Sequence, residues 1–435
     1  MNVLWSGSLA SLLMASIVSA LFNRSSSTWR AVTEMGSTLS NLGTFSSSSI
    51  PGPRKRTIRI LPNTVQQVHV VILVHGWMGN PSELAYLQST MERQASTIEA
   101  DDPAIIFFVH SAEANDGRTS DGIEAGGKRL AAEVNKILCD AMESDASRRD
   151  VSLSFVGNSL GGLYARYALS QIDALQQCSL SNDKISQKSS RVIPRVFCTT
   201  ATPHLGVSRY TYLPLPRAAE YIVAKVLKPT GLDLFRYTEV IQNLATQKKF
   251  LDPLRSFAKR IAYANAYSTD FQVPTATAGF LADTDSTHRR VAFQENSSFV
   301  ELIVETPKYV DDKFDSGGSD ESPATCEDLS RRLDALGWTK VFCDVRGSLP
   351  SVPLPFHTKD AWSSDSAHRS KTYTSRELLA SLAGLDWGRW HAPFGHTVLV
   401  ANSKNDVYSK LNAAGQPIMD QLASDLIQDI LREEL

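Results

Sequence analysis

One serine of this chain stands where a serine can attack a carbonyl. In Gly157-Asn158-Ser159-Leu160-Gly161-Gly162 the hydroxyl is flanked at i−2 and i+2 by glycines, the G-x-S-x-G spacing of an acylating nucleophile. The bare pattern also arises by composition, so its position matters more than its letters. It follows the apolar run Val151 to Val156 (VSLSFV) and precedes a helical pattern that begins at Leu163. A side chain on a sharp strand-to-helix turn projects away from the backbone, and small neighbours relieve the crowding. The N–H groups at the start of the helix favour a developing negative charge. The competing reading is a glycine-rich turn without chemistry, and the strand-to-helix placement weighs against it.

Acyl transfer needs two donors aimed at the tetrahedral oxyanion. The Leu160 amide, directly after the nucleophile, is one candidate. The other lies in Val74-His75-Gly76-Trp77-Met78-Gly79, at the end of the first strong apolar run, where the Trp77 amide is the choice. Gly76 and Gly79 let that loop approach a substrate closely. His75 precedes the serine and is read as positioning the loop. The serine also needs a base, and the base an orienting acid, in the chain order serine, acid, histidine. Asp270 follows the strand-like run Ile261 to Tyr267 (IAYANAY), with Asp283 and Asp285 in reserve. Beyond the run Thr339 to Val345 (TKVFCDV), His357, His368, His391 and His396 are all available as base. His204 precedes the acid and is read as structural.

A third motif, Thr200-Ala201-Thr202-Pro203-His204-Leu205-Gly206-Val207, completes an ordered set with VHGWMGN and GNSLGGLYARYAL. Together these resemble the DUF676-type serine esterases and lipases of the α/β-hydrolase superfamily, well over about residues 68–272 and loosely over 326–435. The resemblance implies an α/β-hydrolase fold and action on lipid esters. It singles out Asp270, because YANAYSTDFQVP is similar to the family's acid-bearing stretch. It favours His396, because Gly395-His396-Thr397-Val398-Leu399-Val400 matches the family's late histidine, leaving His391 second. One departure is Asn158, where the family usually carries histidine. That position flanks the nucleophile and supplies no proton relay, so activity is expected to survive.

These residues need a frame. The runs Val68 to Val74, Ala104 to Val109, Val151 to Val156 and Arg195 to Thr200 are rich in apolar and β-branched residues, as in strands covered on both faces. Between them, Lys128 to Met142 carries Leu130, Val134, Ile137, Leu138 and Met142 at helical spacing. Alternation of this kind predicts an α/β domain over 57–435, a doubly wound, mostly parallel sheet. The aromatic stretch Tyr210 to Phe257 breaks the alternation and suits a helical lid insertion over 208–258. Packing of the same aromatics onto the body is the alternative. The acidic patch Asp311 to Glu321 and the Ser/Pro-rich patch Ser348 to Ser370 mark loop insertions at 283–325 and 346–390.

Composition narrows the function classes. A net charge of −2 with 21% charged residues offers no basic face for nucleic acid. The cysteines, Cys139, Cys178, Cys198, Cys326 and Cys343, are odd in number and form no C-x-x-C pair, so neither a disulfide framework nor a zinc site is expected. The chemistry calls for no metal or organic cofactor. Residues 1–22, apolar or small from Leu4 to Phe22 and containing Val18-Ser19-Ala20, suit a signal peptide or membrane anchor. Residues 23–56, serine-rich with Arg24, Arg30, Arg54, Lys55 and Arg56 against Glu34 alone, suit a disordered or transit-like linker. That combination points to the secretory pathway or a membrane, with plastid or organelle import as a variant and peripheral membrane contact as a corollary. Two other functions fit the same residues: acyl transfer to an alcohol, and an inactive lipid-binding scaffold.

Overall fold

The computed structural model describes residues 67–143, 150–175, 191–211, 215–292, 299–309, 324–353, 372–382 and 389–432. The two N-terminal segments, the acidic patch, most of the Ser/Pro-rich patch, His357 and His368 lie outside the described residues. Strands β1 (Gln67–Val74), β2 (Ile105–Ser111), β3 (Val151–Asn158), β4 (Val192–Thr200) and β5 (Lys259–Asn265) correspond to the apolar runs. They are followed by β6 (Thr287–Arg290), β7 (Val300–Glu305), β8 (Thr339–Cys343), β9 (Ser351–Pro353), β10 (Thr372–Thr374) and β11 (Arg389–His391). Nine of them form one sheet in the order β10-β6-β7-β8-β5-β4-β3-β1-β2, and β9 pairs with β11 separately. From β8 to β2 every pairing is parallel, while β7, β6 and β10 add an antiparallel edge.

The continuity of the apolar runs has a direct cause: both faces of the sheet are covered. Along β1, Val68, Val70, Ile72 and Val74 enter one core, and Val71 and Leu73 enter the other. The first core is closed by α2 (Ile123–Glu143) and α3 (Leu160–Ala168), and the second by α1 (Ala85–Asp101) and the C-terminal helix Gln416–Leu431. Chain order reverses beside β1: the strand after it, β2, lies on one side and β3 on the other. The helix after β1 therefore packs on one face and the helix after β3 on the opposite face. Such a switch point opens a crevice at the carboxyl ends of the strands, where ligands of open α/β sheets bind. This is the α/β-hydrolase arrangement, and it brings the Trp77 loop and the Ser159 turn together at the carboxyl ends of the neighbouring strands β1 and β3.

Elsewhere the structure adds order to stretches read as loops. The 283–325 region carries β6 and β7, and 346–390 carries β10 and the helix Ser375–Leu382. These strands are short, and β7 alternates partly covered with buried residues, so no continuous apolar run announces them. The 208–258 insertion is helical and has two parts. Ile241, Leu244, Phe250 and Leu254 are buried in the first core, whereas the helix Arg217–Val226 leaves Tyr221, Ile222 and Val226 exposed. No helix among the described residues is long and apolar enough to cross a membrane.

Candidate active site

Ser159 occupies the bend between β3 and α3 with φ 53° and ψ −124°, a conformation that costs a non-glycine residue of order 1–3 kcal/mol. The bend is held by the Ser159 amide donating to the Thr200 carbonyl at 2.8 Å and by the Gly162 amide donating to the Ser159 carbonyl at 3.1 Å. The flanking glycines are steric necessities. A Cβ on Gly161 would stand 2.2 Å from the Val74 carbonyl oxygen, and one on Gly157 would stand 2.5 Å from the Gly162 Cα. Ser159 is 9% exposed.

In the loop after β1, the Gly79 amide donates to the Gly76 carbonyl at 3.1 Å, and Met78 adopts φ 55° with its amide bonded to Thr119. The Trp77 and Leu160 amides, the two sequence-derived oxyanion donors, bond to no protein acceptor among the described residues. For Leu160 the reason is general: the first N–H groups of a helix have no intrahelical partner. The Gly76 loop touches the nucleophile turn, since a Cβ on Gly76 would lie 2.9 Å from Ser159 Cβ. His75 is buried, and its Nδ1 faces the Gly76 carbonyl at 3.1 Å, a local contact consistent with shaping the loop.

Past β5 the chain kinks through Tyr267 and Ser268, both at positive φ, and delivers Asp270. Its Oδ1 accepts the Gln272 and Val273 amides at 2.9 and 2.8 Å, and its Oδ2 accepts Asn265 Nδ2 at 3.1 Å. The same Oδ2 meets His396 Nδ1 at 2.8 Å, both groups being buried. An antiparallel bridge between Asp270 and Phe394, with the Gly395 amide donating to the Thr269 carbonyl at 2.7 Å, clamps the two loops together. Sequence order could not reveal this meeting, because the partners are 126 positions apart. No hydrogen bond joins Ser159 Oγ to His396 Nε2 among the described residues. Such contacts are often long without substrate and tighten in the reacting complex.

The remaining candidates are engaged elsewhere. Asp283 pairs with Arg331 at 3.0 Å and Ser286 at 2.9 Å, and Asp285 is near Thr284. His391 turns its Nδ1 to the Arg346 carbonyl at 3.1 Å. His204 is fully buried between Arg166 at 3.2 Å and Thr199 at 3.0 Å, as a structural residue would be. Two residues escaped the sequence reading. Asn265 ends β5 and steadies Asp270. Glu83 accepts the Gly76 amide at 2.8 Å and Asn158 Nδ2 at 2.7 Å, while Thr200 Oγ1 donates to Asn158 Oδ1 at 3.0 Å. The only signal at Glu83 is Asn80-Pro81-Ser82-Glu83, which looks like an ordinary helix start.

Electrostatics favour a protonatable imidazole here. Burial alone would lower the His396 pKa, but the charge and hydrogen bond of Asp270 and the charge of Glu83 outweigh it and raise the value. The neutral ring is the form that accepts a proton. The acid limb of kcat/KM is therefore expected above the ordinary imidazole value of about 6.5, activity falling as pH drops through it. A pH–rate profile on a non-ionising ester checks this, and a limb below that value would contradict it.

A family model described as "Putative serine esterase (DUF676)" matches residues 64–284. The chain is similar to two Saccharomyces cerevisiae proteins named "Putative lipase ROG1" and "Putative lipase YDL109C". The first is 28% identical over 255 residues, covering 57% of this chain and 34% of the relative. The second is 24% identical over 410 residues, covering 82% and 60%. The chain thus spans about a third and three fifths of the length of these relatives. Among solved structures it is similar to phospholipase PlaB from Legionella pneumophila, at 14% identity and a TM-score of 0.29, covering 50% of this chain and 42% of that one. It is also similar to the peroxisomal α/β-hydrolase Lpx1 from Saccharomyces cerevisiae, at 10% identity and a TM-score of 0.28, covering 49% and 66%.

Proposed function

The chain belongs to the DUF676 serine esterase family, and from that premise we propose that it cleaves carboxylic esters of lipids by two-step acyl transfer at Ser159. In this reading His396 Nε2 takes the Ser159 proton as Oγ bonds to the ester carbonyl carbon. Asp270 holds the other nitrogen and stabilises the imidazolium. The Trp77 and Leu160 amides receive the oxyanion. The imidazolium then protonates the leaving alcohol oxygen, the C–O bond breaks, and an acyl-Ser159 ester remains. Water attacks that ester with His396 again as base, releasing the acid and restoring the serine. No step calls for a metal or organic cofactor.

The observation that carries the reading is the buried Asp270–His396 pair at 2.8 Å, together with a serine held at positive φ at the end of β3. Lipid as the substrate class draws on a second set of residues. Met78 and Phe394, next in sequence to the oxyanion donor and close to the base, are 39% and 55% exposed. On the insertion, Tyr221, Ile222 and Val226 also face solvent, with Lys225 and Lys228 nearby in sequence. Exposed apolar groups on the loops that carry the site and on the insertion suit acyl chains and transient contact with a lipid surface. The names of the yeast relatives agree with this class.

The test uses a fluorophosphonate and long-chain acyl glycerolipids labelled in the acyl group. The probe is expected to modify Ser159, identified by peptide mass, and to block release of labelled fatty acid. Label recovered in a new ester in place of free acid would assign transfer to an alcohol. Absence of both modification and acyl release would overturn the reading.

A further inference from the structure

The carboxylate of Glu83 is the one acid, besides Asp270, whose charge reaches His396 among the described residues, and its own contacts are informative. It is 4% exposed, and it projects from the short 3-10 turn Pro81–Leu84. Its Oε1 holds two donors at once: the Gly76 amide of the oxyanion loop at 2.8 Å and the Asn158 side chain, which flanks the nucleophile, at 2.7 Å. Its Oε2 lies where a Cβ on Gly79 would be, only 2.2 Å away, so Gly79 must be glycine for the carboxylate to fit. Its backbone carbonyl accepts the Ser403 amide at 3.1 Å, from the segment that follows His396. One residue therefore ties the oxyanion loop, the nucleophile bend and the histidine loop together.

A helix-start glutamate normally reaches back to its own cap residue. Glu83 instead turns inward, and burying a carboxylate is costly unless its oxygens are well bonded. Both donors on Oε1 are neutral, so neither cancels its charge. We propose that Glu83 is a positioning residue of the reaction, fixing the oxyanion loop through Gly76, the bend through Asn158 and the histidine loop through the Ser403 amide. The inference rests on the serine esterase reading and deepens it. A neutral amide at 158 suits this role, because a donor there steadies Glu83 without cancelling its charge.

The charged groups facing His396 are Asp270, from the loop after β5, and Glu83. Removing the second should destabilise the imidazolium. In Glu83→Gln the acid limb of kcat/KM is expected to move to lower pH, with kcat at the plateau falling on the order of tenfold as the oxyanion loop loosens. Glu83→Asp, which keeps the charge, should return the limb toward its original position without fully restoring kcat. Asn158→Ala should also move the limb, because it removes one of the two donors that hold the Glu83 carboxylate. This second variant keeps the test decisive if Glu83→Gln does not fold. Limbs unmoved in Glu83→Gln and in Asn158→Ala, in protein whose Ser159 still takes a fluorophosphonate, would overturn the role of Glu83 alone. Failure of the unaltered protein to take the probe would overturn the esterase reading, and this inference with it.

Discussion

Ser159→Ala is expected to lower kcat/KM for ester cleavage by on the order of a millionfold, leaving protein that still folds. The magnitude follows from the way the groups act together. Without the hydroxyl, the Asp270–His396 pair has no proton to take, and the two free amides at Trp77 and Leu160 can only polarise a bound carbonyl. Such residual stabilisation is worth roughly a thousandfold over water, far less than the complete set. Folding should be indifferent, because no hydrogen bond among the described residues involves Ser159 Oγ; the bend is held by the backbone bonds to Thr200 and Gly162. The check is a rate measurement alongside thermal melting. A melting temperature within a few degrees together with a rate within tenfold of the starting protein would show that chemistry lies elsewhere on the chain.

The same bend explains why so much of the site is legible in the order of the residues. A serine at positive φ between two chain segments in van der Waals contact leaves no choice at i±2, so Gly157 and Gly161 are visible as letters. The strands leading to it are visible for a related reason. Helices on both sides of the sheet exclude water from β1 and β3, and every residue of β3 is buried, so β1 is a nearly continuous apolar run and β3 admits only the small polar residues Ser152 and Ser154 between its apolar ones. Where that double cover ends, legibility ends. β6, with the sequence Thr287-His288-Arg289-Arg290, has one buried residue among four and pairs antiparallel at the margin of the sheet. Nothing in its composition separates it from a charged loop.

Long-range convergence is the other gap. Asp270 is recognisable as an acid after a strand, but Asp283 is a second acid close behind it, and the pairings made in the fold, Asp270 with His396 and Asp283 with Arg331, separate them. Glu83 is less visible still. In the sequence it completes a helix-start pattern, whereas its contacts in the fold depend on the rotamer that turns it toward Gly76 and Asn158. Local patterns describe what a side chain can do for its own element. They do not report which distant element it faces once the sheet has formed.

The two late histidines put that distinction to a quantitative test. Sequence order alone admits both His391 and His396, five positions apart. Their surroundings differ. His396 is buried and bonded through Nδ1 to Asp270, which leaves Nε2 as the acceptor nitrogen. His391 is only partly buried, lies on the small β9–β11 ribbon, and spends its Nδ1 on the Arg346 carbonyl. His396→Ala is therefore expected to cost on the order of a thousandfold or more in kcat, and His391→Ala less than about tenfold. Removing the base also removes the group whose ionisation sets the acid limb, so the residual rate of His396→Ala should rise with hydroxide and show no plateau near neutral pH. The His391→Ala profile should keep its limb. Equal losses from the two substitutions, or the larger loss at His391, would detach Asp270 from catalysis as well, because His396 is the imidazole that Asp270 holds.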